Sequence, residues 1–255
     1  MNLLHAALLG IVEGVTEFLP VSSTGHLILA TGLLGLEQTE FLKSFDIAIQ
    51  FGAILAVVVL YGRSLLFRPA VLRRVAAAFL PTALIGFLLY KTVKRFLLGN
   101  GTVVMWALLL GGIGLIVFEL LYREKDTDSE DLGGIPYRSC FLIGVFQSLA
   151  MVPGVSRSAA TVIGGLSLRL KRKTIVEFSF LLAVPTMLAA TVLDLMKSAH
   201  AFTPQEYRFL GVGAVVSFVV SILSIRFLLG FIRSHTFIPF GVYRILAALA
   251  FLAWR

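Results

Sequence analysis

Cysteine is nearly missing from this chain, with Cys140 the single one among 255 residues. That excludes an internal disulfide and a thiolate metal cluster, and no role is assigned to Cys140. Charge is scarce as well, at 14% of residues against 58% hydrophobic, and the mean hydropathy is +0.94. No water-soluble fold hides that much apolar surface, so an integral membrane protein is required. The roughly 10-residue alternating segments of an outer-membrane barrel are lacking, whereas several runs approach the roughly 20 apolar residues of a membrane helix. The expected fold class is therefore all-α, a polytopic membrane helical bundle. A basic n-region is missing from the N-terminus, so no cleaved signal peptide is expected. Hydrophilic stretches are lacking too, apart from one at 123–138. The net charge of +8 would suit nucleic acid, but the basic residues sit in short loops between apolar runs, which is the orientation signal of membrane proteins. The bilayer is an expected partner and nucleic acid is not.

Against this apolar background one polar stretch stands out, Glu13-Gly-Val-Thr-Glu-Phe-Leu-Pro-Val-Ser-Ser-Thr-Gly-His26. Glu13 and Glu17 are four apart, and on a helix ending at Pro20 both carboxylates share one face. Ser22, Ser23 and Thr24 then read as the N-cap of a second helix. A helix start offers free backbone N–H groups to an anion, and carboxylates facing that anion call for a divalent cation between them. The local reading is a phosphate site with a metal. Structural carboxylates are the plainer alternative, but a charge at the bilayer centre costs about 2.5–3.5 kcal/mol even on the mildest scale. The hydroxyls are at least helix caps, and His26 has the acid–base range for a proton transfer near neutral pH.

Taken in order, residues 3–19 and 25–36 read as two half-helices of a re-entrant pair, permitted at membrane depth only where the loop is buried in protein or lines a cavity. Spans follow at about 45–62, 75–90 (broken near Pro81) and 102–122. After the hydrophilic linker at 123–138, the stretch from Gly144 to Ser158 echoes the stretch from Gly10 to Thr24 at an offset of 134. Gly10 meets Gly144, Glu13 meets Gln147 and Ser22 meets Ser156. The echo predicts a second broken pair, about 140–151 and 158–168, then spans at about 178–196, 208–230 and 238–254.

The expected organisation is one membrane domain, 1–255, made of a first repeat at 1–122 and a second, inverted repeat at 139–255. Each half crosses three times, so the halves start from opposite faces, and such inverted repeats place a site near the midplane where their loops meet. One face collects most arginines, from Arg63, Arg68, Arg73 and Arg74 to Lys171, Arg172, Lys173 and Arg233. The other holds Lys43, Lys91, Lys94, Arg95, Lys197, Arg208 and Arg255. Positive loops stay in the cytoplasm, so the first pair is expected to enter from outside.

The second loop, Pro153-Gly154-Val155-Ser156-Arg157-Ser158-Ala-Ala-Thr161, repeats the chemistry of the first with an arginine added. Gly154 permits close backbone approach, Ser156 and Ser158 cap the next helix, and Arg157 supplies a forked donor suited to phosphate oxygens. Gln147 and Thr161 are second-tier polar candidates facing inward. Together the two loops make a diphosphate–metal site. Asp46, Gln50, Glu119, Glu177, Asp194, Arg226 and Arg244 fall mostly near span ends, where interfacial anchoring accounts for them. Gly111, Gly112, Gly114, Gly211 and Gly213 read as close helix packing.

These motifs, with Glu-Phe-Ser-Phe-Leu-Leu-Ala-Val-Pro at 177–185, resemble the signature stretches of the bacterial undecaprenyl-diphosphatase family of the bacitracin-resistance type, in order along nearly the whole chain. Val155 and Ala159 stand where many relatives carry Thr and Gly. The resemblance implies hydrolysis of undecaprenyl diphosphate to the monophosphate, recycling the lipid carrier of cell-wall synthesis in the bacterial inner membrane. It also implies a divalent cation, Mg or Ca. Carried over, the family's glutamates fall on Glu13 and Glu17, its serines on Ser22 and Ser23, its histidine on His26, and its second motif on Ser156, Arg157 and Thr161. The expected mechanism has Glu13 and Glu17 on the metal, Arg157 on phosphoryl oxygens, Ser23 as nucleophile and His26 as its base. Attack by metal-activated water stays open. Expected partners are the polyprenyl diphosphate lipid and, as an open possibility, a second copy in a homodimer. The rival reading is a secondary transporter or lipid flippase, whose architecture also uses inverted repeats and broken helices.

Overall fold

In the computed structural model, residues 1–96, 101–124, 131–198 and 202–254 are described. Residues 125–130 of the linker and Arg255 lie outside them, as do the side chains of Lys91, Lys94, Arg95, Asp194 and Lys197. The described residues form helices α1 (Leu3–Thr16), α2 (Ser23–Leu33), α3 (Glu40–Phe67), α4 (Pro69–Phe96), α5 (Gly101–Leu121), α6 (Tyr137–Ser148), α7 (Arg157–Ser167), α8 (Arg172–Ser198), α9 (Pro204–Phe231) and α10 (Ile238–Trp254). No strand occurs among them. Five helices, α3, α4, α5, α8 and α9, are long and apolar enough to cross a membrane, and α10 is a shorter apolar helix. Leu80, Phe87, Leu110 and Val215 are more than half exposed on their outer faces, an arrangement only hydrocarbon tolerates. The protein is a multi-pass membrane protein.

Local chemistry sets the helix limits. Asn2 caps α1, its side chain accepting from the His5 N–H at 2.8 Å. Thr39 caps α3, accepting from the Leu42 N–H at 3.2 Å. Thr203 and Glu206 form a reciprocal capping box at the start of α9, with Pro204 in the first turn. The expected break at Pro81 is not found, and α4 runs through it. The Thr82 hydroxyl, on the next residue, lies 3.3 Å from the Ala78 carbonyl and 2.8 Å from that of Gly144, tying this turn of α4 to α6. Neighbouring side chains of this kind commonly support prolines in membrane helices.

Short α1 packs along α9, and short α6 along α4; α3 packs with both α8 and α9, and α5 with α10. Glycine makes the first two contacts possible. A Cβ on Gly10 would sit 2.6 Å from the Gly213 carbonyl of α9, and one on Gly144 would run into the Ala78 carbonyl of α4 and lie 2.6 Å from the Pro81 ring. Gly112 meets Gly241 of α10 in the same way. Gly114 and Gly211, by contrast, have nothing within 4 Å of the position a Cβ would take.

Two of the polar groups assigned to interfacial anchoring do something else. Glu119 is buried and takes a forked ion pair from Arg172, whose Nε also lies 3.3 Å from Glu124, so the end of α5 is tied to the start of α8. Arg244 is the largest fully buried side chain among the described residues, 1% exposed.

Candidate functional site

The segments between α1 and α2 and between α6 and α7 meet inside the bundle. Phe18, from the first of them, packs edge-on against Phe180 of α8 at 5.3 Å, and the Ser158 hydroxyl donates to the Leu19 carbonyl at 2.9 Å, joining one segment to the other. Ser22 caps α2 from a left-handed backbone, φ +75°, rare for a residue with a side chain. Ser156 caps α7, its Oγ accepting from the Ala159 N–H at 3.2 Å. Gly154 also adopts positive φ, and a Cβ there would lie 2.6 Å from the Val104 carbonyl, so only glycine lets this turn seat against α5.

The central contact joins three of the expected residues. Glu17, 7% exposed, accepts from the Ser23 hydroxyl through Oε2 at 2.5 Å. Through Oε1 it accepts from Arg157 Nε at 3.2 Å and Nη2 at 3.0 Å. The third Arg157 nitrogen, Nη1, donates to the Ser179 carbonyl at 2.9 Å, which fixes the guanidinium plane. Thr161 does not reach the carboxylate. Its hydroxyl lies 2.6 Å from Ser179 Oγ and 3.0 Å from the Arg157 carbonyl, behind the arginine. A cavity of about 290 Å³ opens at this point, lined by Glu17, Ser22, Ser23, Thr24, Gln50 and Thr82, with Gln147, Ser156, Arg157 and Thr186 among the rest. Gln147 donates to Thr82 Oγ1 at 3.1 Å, and its amide oxygen has no partner. Gln50, assigned to anchoring by its position in the sequence, is thus part of the wall.

Two expected residues lie outside this hydrogen-bond network. Glu13, one turn back along α1, is fully buried and neither carboxylate oxygen has a hydrogen-bond partner. His26 is not joined to Ser23. Its Nδ1 is 2.8 Å from the Ser22 carbonyl and its Nε2 is 2.8 Å from the Tyr243 hydroxyl, with the two rings stacked at 5.3 Å. Sequence reasoning overlooked Tyr243 and misplaced Arg244 at the interface. Arg244 donates to the carbonyls of Leu108 (3.4 Å) and Ala107 (2.9 Å) on α5, Pro20 (3.4 Å) and Gly154 (3.1 Å). A polar pair inside the apolar run of α10 was the available signal.

Fold and site together define a class: a multi-pass helical membrane protein in which two helix N-termini, an arginine and a carboxylate–serine pair converge on one internal cavity. Within that class the chain belongs to the family described as bacitracin resistance protein BacA, which matches residues 6–250. Its relatives include proteins named undecaprenyl-diphosphatase. That of Aquifex aeolicus is 51% identical over 250 residues, covering 98% of this chain and 97% of its own. That of Sulfurihydrogenibium sp. is 51% identical over 254 residues, spanning both chains entirely. That of Wolinella succinogenes is 48% identical over 252 residues, covering 99% and 98%.

Proposed function

We propose that the protein is an undecaprenyl-diphosphate phosphatase of the bacterial cytoplasmic membrane, releasing inorganic phosphate, regenerating the monophosphate lipid carrier and so conferring bacitracin resistance. The observation that carries this reading is the Ser23–Glu17–Arg157 constellation at the mouth of two helix N-termini. Ser23 Oγ attacks the terminal phosphorus, the bridging P–O bond breaks, and the lipid monophosphate leaves. Glu17, already accepting the Ser23 proton in a hydrogen bond, takes it. Water then displaces phosphate from the phospho-serine and Glu17 returns the proton to Ser23 Oγ. Arg157, its plane held by Ser179, gives its Nε and Nη2 donors to the phosphoryl oxygens in place of Glu17, and the N–H groups at the starts of α2 and α7 stabilise the same charge. His26, bonded to the Ser22 carbonyl rather than to Ser23, holds the left-handed turn that presents Ser23.

A divalent cation fits the residues present. Glu13 carries two buried acceptor oxygens without donors, and a hard cation binds through one or two carboxylates plus substrate phosphates. Among the described residues no third His, Cys, Asp or Glu completes a metal set, so the diphosphate itself would supply the remaining oxygens. Glu13 and Glu17 would hold the ion, and it would supply positive charge to the diphosphate.

The inverted repeat belongs to the same proposal. What supports it is the exchange of partners: Gly10 of the first half seats α1 on α9 of the second, and its counterpart Gly144 seats α6 on α4 of the first. Ser22 and Ser156, also counterparts, are both N-caps. With the arginine-rich loops inside, the site opens to the outer face.

Purified protein in detergent, given polyprenyl diphosphate, is expected to release inorganic phosphate, to stop on chelation and to resume with Mg or Ca. Glu17→Gln, which cannot take the Ser23 proton, is expected to be inactive at every cation concentration. Parental turnover by that variant, or no phosphate release from the parent, would sink the reading; the latter is what a pure transporter gives.

A further inference from the structure

We infer that Tyr243 and Arg244, adjacent on α10, are positioning residues that set the two site loops and the His26 ring, an inference resting on the proposed phosphatase reading. Arg244 is a fully buried guanidinium that donates to four main-chain carbonyls. Two belong to α5. The other two are Pro20, two residues before the Ser22 cap, and Gly154, two residues before the Ser156 cap. One rigid planar group thus spans both loops and fastens them to the α5–α10 pair, a geometry that a lysine's single ammonium does not reproduce. The surrounding sequence makes room for it. A side chain at Gly111 would collide with the guanidinium, and Gly154 brings its carbonyl within reach only because the turn lacks a Cβ.

Tyr243 acts beside it through one hydrogen-bond chain. A carbonyl can only accept, so His26 Nδ1 carries the proton toward Ser22, and in the neutral ring Nε2 must then accept, leaving the Tyr243 hydroxyl as donor. The Ser22 carbonyl therefore sets the imidazole tautomer, and Tyr243, donating to Nε2, holds the ring against that carbonyl. That carbonyl belongs to the one left-handed serine in the site, immediately before Ser23. The chain runs from Tyr243 to His26 to Ser22, and its end is the orientation of the nucleophile. Neither residue lines the cavity, and each acts through the main chain of the loops or the His26 ring.

The test is nitrogen-15 NMR of histidine-labelled full-length protein in detergent, combined with a kinetic cycle. Of the four histidines, His26 is assigned by its disappearance in His26→Ala. The parent is expected to show the Nδ1–H tautomer, and Tyr243→Phe to shift the Nε2 resonance as its hydrogen bond is lost. The same substitution is expected to lower kcat by about 2- to 13-fold, the loss of one hydrogen bond, with KM unchanged, and to cause no further loss in a His26→Ala background. Arg244→Lys is expected to lower kcat although the charge is kept. An Nε2–H tautomer in the parent, a spectrum indifferent to Tyr243→Phe, equal losses in both backgrounds, or parental kcat in Arg244→Lys would each overturn the positioning role. The tautomer is read without turnover, so a parent that releases no phosphate would sink the phosphatase reading while leaving this result standing.

Discussion

Ser22 and Ser23 are neighbours with different work, and the difference is measurable. Ser22 is the N-cap of α2, its Oγ facing the Gly25 N–H at 3.5 Å, whereas the Ser23 hydroxyl is spent on Glu17 at 2.5 Å. Losing a cap costs about 0.5–2 kcal/mol, so Ser22→Ala is expected to slow turnover by at most about 30-fold even if the whole loss falls on the transition state. Ser23→Ala removes the attacking oxygen and is expected to abolish turnover, with phospho-serine at position 23 detectable by mass spectrometry in slowly hydrolysing variants of the intact enzyme. Comparable losses in the two variants, without trapped phosphate, would transfer the attack to water. At this scale the sequence was informative where polarity was expensive. Glu17, Ser23 and Arg157 were legible because nothing else explains such groups in an apolar chain, and they do meet. The partners of His26 and Arg244 were not legible, since a main-chain carbonyl has no sequence signature and an arginine late in an apolar run reads equally well as a snorkelling side chain.

Among the elements, the glycine contacts decide how closely the short helices seat. A methyl on Gly10 or Gly144 meets main-chain oxygen or a proline ring, which cannot swing aside, while one on Gly114 meets nothing. Gly10→Ala and Gly144→Ala are therefore expected to destabilise by about 1–3 kcal/mol, the usual cost of overpacking, read as a lower thermal midpoint in detergent. Gly114→Ala is expected to stay within about 0.5 kcal/mol of the parent. Equal effects at all three positions would show that the seam is not set by these contacts. Helix existence and order were readable from apolar runs, but the ends were placed too far inward, by five residues at the start of α3 and six at the start of α8. Polar first turns such as Glu40–Lys43 and Arg172–Thr174 extend beyond the apolar window that defines a span. Pro81 was overread as a break because prolines are tolerated inside membrane helices packed among neighbours, and the packing partner here, α6, is more than sixty residues away.

For the whole molecule, orientation is the property that the charged loops should govern. A cysteine introduced at 123–138 is expected to be shielded from an impermeant thiol reagent in intact cells and one near Lys197 to be labelled, Cys140 being buried and silent; the reverse pattern would invert the proposed topology. The interlocking of α1 with α9 and of α6 with α4 was not legible in the sequence, because the register between α1 and α9 rests on contacts between residues some two hundred positions apart. That interlocking has a consequence for biogenesis. A ribosome delivers α1 to the membrane long before it has made α9, and α6 must find α4 already in place. For most of synthesis the face of α1 that carries Gly10 and Gly14 therefore waits uncovered, until nearly the last helix arrives. The nascent chain, rather than the finished enzyme, is where this protein is most vulnerable.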